Sequence, residues 1–279
     1  MMLLFGLMLA LQLQWQTVAD VPVGEAPPTG APPAAVPPAV VAPEDVQEFE
    51  RPLRPRLAEG SWKRFTGAGD LVDGQVVFTF GSRAARETRL PGRRVIEFFV
   101  AGSRPLVEGH ELAPWEAPVG AHLFLLNRFA ANRAGRAFCV LATPRTREWA
   151  QRLASSSAGL VQSQDVENPS AAMQLAADLI AGRRRCAGVL LTGDFEVLDW
   201  RVLETFVQLQ ARAGIPVFAR TRHEVLLGAV AAVEPQYESW DANPASPPSG
   251  QIFYHRHMSA WFGVEEIVSS EWKPQPLAR

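Results

Sequence analysis

The chain lacks the motifs that mark most enzymes and metal-binding proteins. It has only two cysteines, Cys139 and Cys186, in 279 residues, and no histidine lies at a spacing from them that is typical of a zinc site. His255 and His257 form a close pair, but no third ligand is near them in sequence. No nucleophile elbow, P-loop or dinucleotide-binding fingerprint occurs. We therefore expect a protein that is not an enzyme and that holds neither a metal nor a cofactor.

The chain also has little net charge and few long apolar runs. The net charge is only −2, which argues against a nucleic-acid partner. The apolar run at residues 3–13 is too short to span a membrane and is typical of the core of a signal peptide. Because residues 17–19 (TVA) suit a signal peptidase, we expect residues 1–19 to direct export to the periplasm or the medium. No stable membrane span is expected after cleavage.

Proline is concentrated in one segment near the N-terminus. Eight prolines lie within the 23 residues 21–43. Proline removes backbone hydrogen-bond donors and favours an extended polyproline-II conformation. We interpret residues 20–56 as a Pro-rich, disordered linker.

The rest of the chain alternates between strand and helix patterns. The apolar run 187–191 has the length of a strand, apolar residues then recur at helical spacing over 198–209, and a second strand-like run follows at 215–219. Gly214 occupies the position of a helix C-cap between the last two. Repetition of this unit with short links predicts an α/β fold with doubly wound parallel sheets, covered by helices on both faces.

This fold class locates a binding site before its contents are known. Parallel α/β sheets bind ligands beyond the carboxyl ends of their strands, which points to Asp194, Arg220 and Thr221. Cys139 and Cys186 each begin a predicted strand. Two interpretations stay open for them, either two buried apolar side chains or a disulfide between neighbouring strands.

Five short segments resemble, in order and spacing, those of a known protein family. They are similar to motifs of the ABC_sub_bind-type periplasmic substrate-binding proteins of ABC transporters. That resemblance implies a type I periplasmic-binding fold, with two α/β lobes joined by a hinge and a ligand closed between them. The segments are G-S-R-A-A at 81–85, the helix and strand from Leu125 to Pro144, G-D-F at 193–195, I-P-V-F-A at 215–219 and residues 255–264.

The resemblance also implies domain boundaries. Residues 57–120 correspond to lobe one, 121–240 to lobe two and 241–279 to a C-terminal return segment. Lobe one is expected to be incomplete, because only the Pro-rich linker and a short segment precede the first clear strand at Gln75.

The implied function is that of an exported solute-binding protein. Its ligand would be a small amino-acid-like or anionic molecule in the interlobe cleft, and its partner an ABC permease or another envelope protein. Asp194 would pair with a ligand amine, although it suits a helix N-cap equally well, as does Thr143. Hydroxyl donors and carboxylate-binding arginines would complete the site: Ser82, Thr143, Thr221, Arg83, Arg104 and Arg220.

The shortened lobe one suggests an alternative function. Half a lobe neither encloses a ligand fully nor covers the edge of its own sheet. In this alternative the chain is a degenerate member of the family that acts as an envelope protein-interaction module, and the Pro-rich linker gives it reach.

Overall fold

The structure is a computed structural model in which most of the chain beyond residue 75 is described. The described ranges are 76–88, 90–98, 100–102, 104–113, 115–130, 135–236 and 249–264, with the two short strands Ala39–Val41 and Lys63–Arg64. All of them belong to one compact unit, Ala35–Arg279. The predicted signal peptide and most of the predicted linker lie outside the described residues. The predicted domain boundaries stay predictions.

A small parallel sheet forms lobe one. Its elements are β1 (Ala39–Val41), β2 (Lys63–Arg64), β3 (Val77–Phe80), α1 (Gly81–Glu87), β4 (Val95–Phe98) and β5 (Glu111–Leu112). The strands run in the order β2-β1-β3-β4-β5, and every neighbouring pair is parallel. Helix α1 begins directly after β3, as the Gly-Ser turn of the sequence predicts.

Strand β1 lies inside the segment that the sequence analysis interpreted as a linker. Ala39 pairs with Val77, and Val41 pairs with Thr79 on β3. Between Pro38 and Pro43 the chain has four residues without proline, so these residues keep the backbone N–H donors that a strand needs. The sequence analysis missed this short strand because it considered the proline content of the whole segment. The smaller sheet therefore has two strands that precede Gln75.

A six-stranded sheet with helices on both faces forms lobe two. Its strands are β6 (Phe138–Ala142), β7 (Val161–Asp165), β8 (Val189–Leu190), β9 (Val217–Ala219), β10 (Ala231–Gln236) and β11 (Ser249–Tyr254). Their order is β11-β10-β9-β8-β6-β7, and only the β10–β11 pair is antiparallel. The helices are α2 (Val119–Ala130), α3 (Arg147–Ser155), α4 (Pro169–Ile180), α5 (Trp200–Ala213), α6 (Arg222–Leu226) and α7 (Arg256–Trp261).

The core of lobe two consists of two hydrophobic clusters, one on each face of the sheet. The first contains Leu125 and Phe129 of α2 together with Leu153 of α3. The second contains Leu175 of α4 and Phe206 of α5. A sheet covered on both faces needs strands that are apolar throughout, and β6, β8 and β9 are fully buried. The predicted α/β fold with doubly wound parallel sheets is confirmed.

Local capping groups set the ends of the helices. Asp199 accepts hydrogen bonds from two backbone N–H groups of the first turn of α5, and Gly214 ends that helix with a left-handed φ of 62°. Asn168 caps α4, with proline at its first turn. Thr221 and Glu224 form a reciprocal capping box on α6. The C-cap at Gly214 is the one that the sequence pattern predicts, whereas the N-cap of α5 is Asp199 and not Asp194, which the sequence analysis considered for that role.

Cys139 and Cys186 form a disulfide, with their Cα atoms 5.6 Å apart. Strands β6 and β8 are neighbours, and Cys139 lies opposite Val189 in the register. Cys186 therefore passes beside Cys139 just before β8 begins. The strand order decides between the two interpretations left open by the sequence. Among the described residues, no helix has the length and apolar character needed to span a membrane.

Candidate functional site

Residues that follow the carboxyl ends of strands in both lobes contact one another. We call these contacts the interlobe interface and define it by four pairs of residues. They are Glu116 with Gly193, Trp115 with Phe195, Arg86 with Glu196, and Arg145 with Ala101. Ligands of open α/β sheets bind at this end of the strands.

Asp194 is a buried residue that stabilises the turn before α5 and also contacts the end of a second strand. Its Oδ1 accepts hydrogen bonds from the backbone N–H groups of Glu196 at 3.1 Å and Val197 at 3.3 Å. Its Oδ2 accepts one from Thr143 Oγ1 at 2.6 Å. Only 3% of Asp194 is exposed. The carboxylate is therefore engaged by its own chain on both oxygens, and Thr143 is engaged with it.

Thr143 belongs to a chain of buried threonine hydroxyls. Thr146 Oγ1 lies 3.1 Å from Thr143 Oγ1 and 2.9 Å from Thr192 Oγ1. Thr192 in turn donates to the carbonyl of Leu141 at 2.8 Å. Sequence analysis missed Thr146 and Thr192, although the T-P-R-T spacing at 143–146 suits a local hydroxyl turn. These hydrogen-bonded hydroxyls connect the end of β6 to the end of β8 beside the interlobe interface.

Arg220 turns its hydrogen-bond donors away from the interface. Its Nε donates to Glu224 Oε1 at 2.8 Å, its second terminal nitrogen donates to the same oxygen, and its first donates to the carbonyl of Leu198 at 2.6 Å. Thr221 accepts the backbone N–H of Glu224 at 3.2 Å. Arg220 is thus a partner of the α6 cap, and only the flat face of its guanidinium meets an aromatic ring, that of Phe195, at 3.9 Å. The sequence analysis expected Arg220 to bind a ligand carboxylate, whereas in the structure these donors bind Glu224 and Leu198.

The candidate residues of lobe one are dispersed. Ser82 is half-buried and its hydroxyl bonds to the carboxylate of Glu196. Arg104 is exposed, and the hydrogen bond that crosses from lobe two at this position uses its backbone carbonyl, which Arg145 approaches to 3.2 Å. The side chain of Arg83 lies outside the described residues. Of the predicted residues, the fold brings Asp194 and Thr143 into direct contact, and it keeps Arg220 and Thr221 together on α6.

A buried acid positions the loop that carries Arg104. Glu97 on β4 is fully buried and accepts hydrogen bonds from the backbone N–H groups of Leu106 at 2.7 Å and Val107 at 3.1 Å. His110 Nδ1 lies 2.9 Å from the same carboxylate. A buried carboxylate is tolerated when several donors surround it. Glu97 therefore acts as a structural anchor for the 104–110 loop.

Arg145 is an interlobe contact that sequence analysis missed. Its Nε donates to the carbonyl of Ala101 at 2.6 Å. Gly102 beside it has φ +111°, and a Cβ there would lie 3.0 Å from the Arg145 carbonyl oxygen, so the turn suits glycine only. Arg86 and Glu196 add a 2.9 Å ion pair between exposed side chains. Such exposed pairs contribute little stability, so the backbone-directed Arg145 is the more important contact.

The segment that joins the lobes packs directly on the turn after β8. Trp115 is 5% exposed, and any side chain at Gly193 would overlap its indole ring. Glu116 Oε1 accepts the backbone N–H of Gly193 at 2.6 Å. The rings of Trp115 and Phe195 lie 5.6 Å apart. Only glycine at position 193 leaves room for the Trp115 ring, and the two lobes are in contact at this point.

Glu116 titrates near neutral pH. Burial raises the pKa of this carboxyl from 4.5 to about 7, against the hydrogen bond from Gly193 and the charge of Arg220, while the charge of Asp194 raises it further. The protonated form is therefore favoured in the closed interface. Stability from this group is fully present below pH 4.5 and is lost as the pH rises through about 7.

We expect Glu116→Gln to remove this pH dependence. Between pH 4.5 and 7, the wild-type chain should lose about 1 to 3 kcal/mol of unfolding free energy that the variant keeps. Urea unfolding at several pH values measures the difference. Glu108→Gln, at an exposed acid in the 104–110 loop, is the matched control and should follow the wild-type profile. Parallel profiles for wild type and Glu116→Gln would contradict the assignment.

Comparison with known proteins identifies the fold. No family model matches the chain, and no curated protein is similar to it in sequence. The solved structures with a similar fold include the following two. The ABC domain in complex with L-Trp from Streptococcus pneumoniae aligns with a TM-score of 0.53 and 14% identity, covering 81% of this chain and 94% of that one. A conserved domain protein from Vibrio cholerae aligns with a TM-score of 0.54 and 14% identity, covering 84% and 97%.

These likenesses concern the fold alone, because the identities are low. The alignments cover 94% and 97% of the neighbouring chains. The parallel sheets, the strand order and these neighbours together confirm the predicted type I periplasmic-binding fold. The particular family that the sequence resembles stays a prediction.

Proposed function

We propose that the protein binds one small amino-acid-like molecule at the interlobe interface and is not an enzyme. The observation that carries the proposal is the convergence, at the carboxyl ends of the strands, of a half-buried carboxylate, two aromatic rings and the face of a guanidinium. These groups belong to Glu116, Trp115, Phe195 and Arg220. The L-Trp bound to the Streptococcus pneumoniae domain of similar fold supports an amino-acid-like ligand.

In this proposal Glu116 replaces Asp194 as the partner of a ligand amine. Both oxygens of Asp194 already accept hydrogen bonds from its own chain. Glu116 accepts the one hydrogen bond from Gly193, and with its pKa near 7 an adjacent ammonium group would readily shift it to the charged form. Arg104 is exposed, and in this proposal its guanidinium binds a ligand carboxylate. The lobes must separate for the ligand to enter, because Trp115 covers Gly193.

We further propose that residues 1–19 export the chain and that an ABC permease or another envelope protein is its partner. The apolar run at 3–13 supports export. The fold supports a carrier role, since two lobes around a hinge close on a ligand and present different surfaces when open and closed. These finer assignments depend on the ligand-binding proposal.

Thermal unfolding with a panel of amino acids, dicarboxylates and nucleosides tests the proposal. A ligand that binds only the folded chain raises the melting temperature with its concentration. The shift should disappear in Glu116→Gln. Asp194→Ala should instead lower the melting temperature of the free protein by about 2 to 4 °C, because a cap is lost. Absence of a shift for every ligand at millimolar concentration would overturn the proposal.

One observation favours an interaction module as the second candidate. Asp194, Thr143, Thr221 and Arg220 all form hydrogen bonds within the chain, so the interface closes without any ligand. A module of this kind would use its outer surface to bind a protein of the envelope. A stable one-to-one complex of the ligand-free chain in an envelope extract, together with no shift across the panel, would establish this candidate in place of the first.

A further inference from the structure

The ring of Phe195 occupies the position where this fold places a ligand. Phe195 follows Asp194 in the turn after β8, at the carboxyl end of a central strand. Its ring lies 5.6 Å from the ring of Trp115 on one side and 3.9 Å from the guanidinium carbon of Arg220 on the other. Aromatic and cation–π contacts of this kind stabilise a ring within a partly dry site. Phe195 is thus held between the joining segment and lobe two.

The surroundings of Phe195 differ from those of a core side chain. It is half-buried and belongs to neither hydrophobic cluster of the large sheet. A ring that fills a sheet core is fully buried among many neighbours, as Phe206 and Phe218 are. Removal of the Phe195 ring therefore leaves both clusters complete. The change acts on the contacts that Phe195 makes with Trp115 and Arg220.

Arg220 restricts the chemistry that this space can accept. Its Nε and both terminal nitrogens each donate a hydrogen bond, either to Glu224 or to the carbonyl of Leu198. The guanidinium carbon lies over the ring of Phe195, 3.9 Å from the ring centroid. A group that replaced the ring would be recognised by stacking and not by a salt bridge. Burial and the charge of Asp194 both raise the pKa of Glu116, so a further negative charge in this part of the interface is unfavourable.

We propose that Phe195 is an intramolecular occupant of the interlobe site and determines which ligands can bind there. An external molecule binds fully only when the ring swings out, and the group that takes its place is a planar, uncharged aromatic ring. The inference rests on the proposed function in placing the site at the interlobe interface. It adds the residue that controls access and the shape of the recognised group.

Phe195→Ala tests the proposal with phenol and cyclohexanol as probes. The two probes are matched in size and hydroxyl group and differ in the flat π system. The variant should bind phenol about tenfold more tightly than cyclohexanol, the factor expected when one ring regains both stacking contacts. The wild-type chain should bind neither probe at the same concentrations. Titration calorimetry of the full chain measures these affinities.

Phe124→Ala is the matched control, because Phe124 is another half-buried ring under an arginine, 5.0 Å from the guanidinium of Arg128. It should gain no phenol binding. Phe195→Leu covers the case in which the alanine variant does not fold. Leucine keeps apolar contact without a flat ring, so this variant should bind phenol more weakly than Phe195→Ala and more tightly than wild type.

The results separate this inference from the proposed function. A folded Phe195→Ala that binds phenol no better than wild type, or no better than cyclohexanol, overturns the inference. If it binds phenol while the wild-type chain responds to no ligand of the panel, Phe195 is the occupant and the amino-acid-binding function fails. If a panel ligand binds wild type and Phe195→Ala gains nothing, the function stands and the inference fails.

Discussion

The double variant Cys139→Ala, Cys186→Ala should lose about 4 kcal/mol of unfolding free energy, the value expected for opening a covalent loop of this length. The two cysteines are separated by 47 residues, so the disulfide closes a long loop and restricts the unfolded chain strongly. That loop contains β7, α4 and the approach to β8, which include much of the second hydrophobic cluster. Urea unfolding monitored by circular dichroism measures the loss.

Two controls isolate the disulfide from the packing of the cysteine side chains. Wild-type protein under reducing conditions should unfold at the same urea concentration as the double variant. Single variants, which leave one thiol, should match it as well, because either change opens the loop. A loss below about 1 kcal/mol in the double variant would contradict the expected loop-closure effect.

Arg220→Met should destabilise the protein by about 3 to 5 kcal/mol, because it leaves the charge of Glu224 buried without its partner. The two side chains are 3% and 5% exposed. Glu224 also accepts the backbone N–H of Arg220 at 2.8 Å and that of Thr221 at 3.2 Å, which holds its carboxylate in place after the guanidinium is removed. Methionine keeps the apolar contact with Phe195, so the change removes charge more than packing.

A double-mutant cycle tests this interpretation. Arg220→Met combined with Glu224→Gln should recover most of the loss, because no buried charge is then unpaired and the glutamine oxygen still accepts the backbone N–H groups of Arg220 and Thr221. Arg212→Met, at an exposed arginine in the last turn of α5, should change stability by less than about 0.5 kcal/mol. Equal losses in the Arg220 single variant and the double variant would show that the pair is not the source of the effect.

Local features were predictable from sequence because they depend on neighbouring residues. The cap at Gly214 and the strand–turn–helix around Asp194 were predicted and occur in the structure. Element ends were less well predicted. The expected strand 187–191 contains the shorter β8 (Val189–Leu190), because the paired length of a strand depends on its neighbours in the sheet.

The sequence pattern around Asp194 does not distinguish a structural role from a ligand contact. An aspartate before a helix suits both a cap and a ligand contact, and only its partner decides between them. That partner, Thr143, is 51 positions away, and it reaches Asp194 because β6 and β8 are neighbours. The pairing of Cys139 with Cys186 depends on the same strand order. The sequence shows that Arg220 and Glu224 are close enough along the chain to pair. It does not show that the pair is buried.

Sequence patterns were enough to predict the fold class, helix caps and the end of the sheet at which the polar residues lie. Those features follow from periodicity and from hydrogen bonds between near neighbours. Tertiary structure alone decided which groups face the interface. Glu116 and Gly193 are 77 positions apart, and their contact, the raised pKa of Glu116 and the enclosure of Phe195 exist only because the two lobes close. Burial and desolvation arise from contacts between distant segments, so no local pattern encodes them.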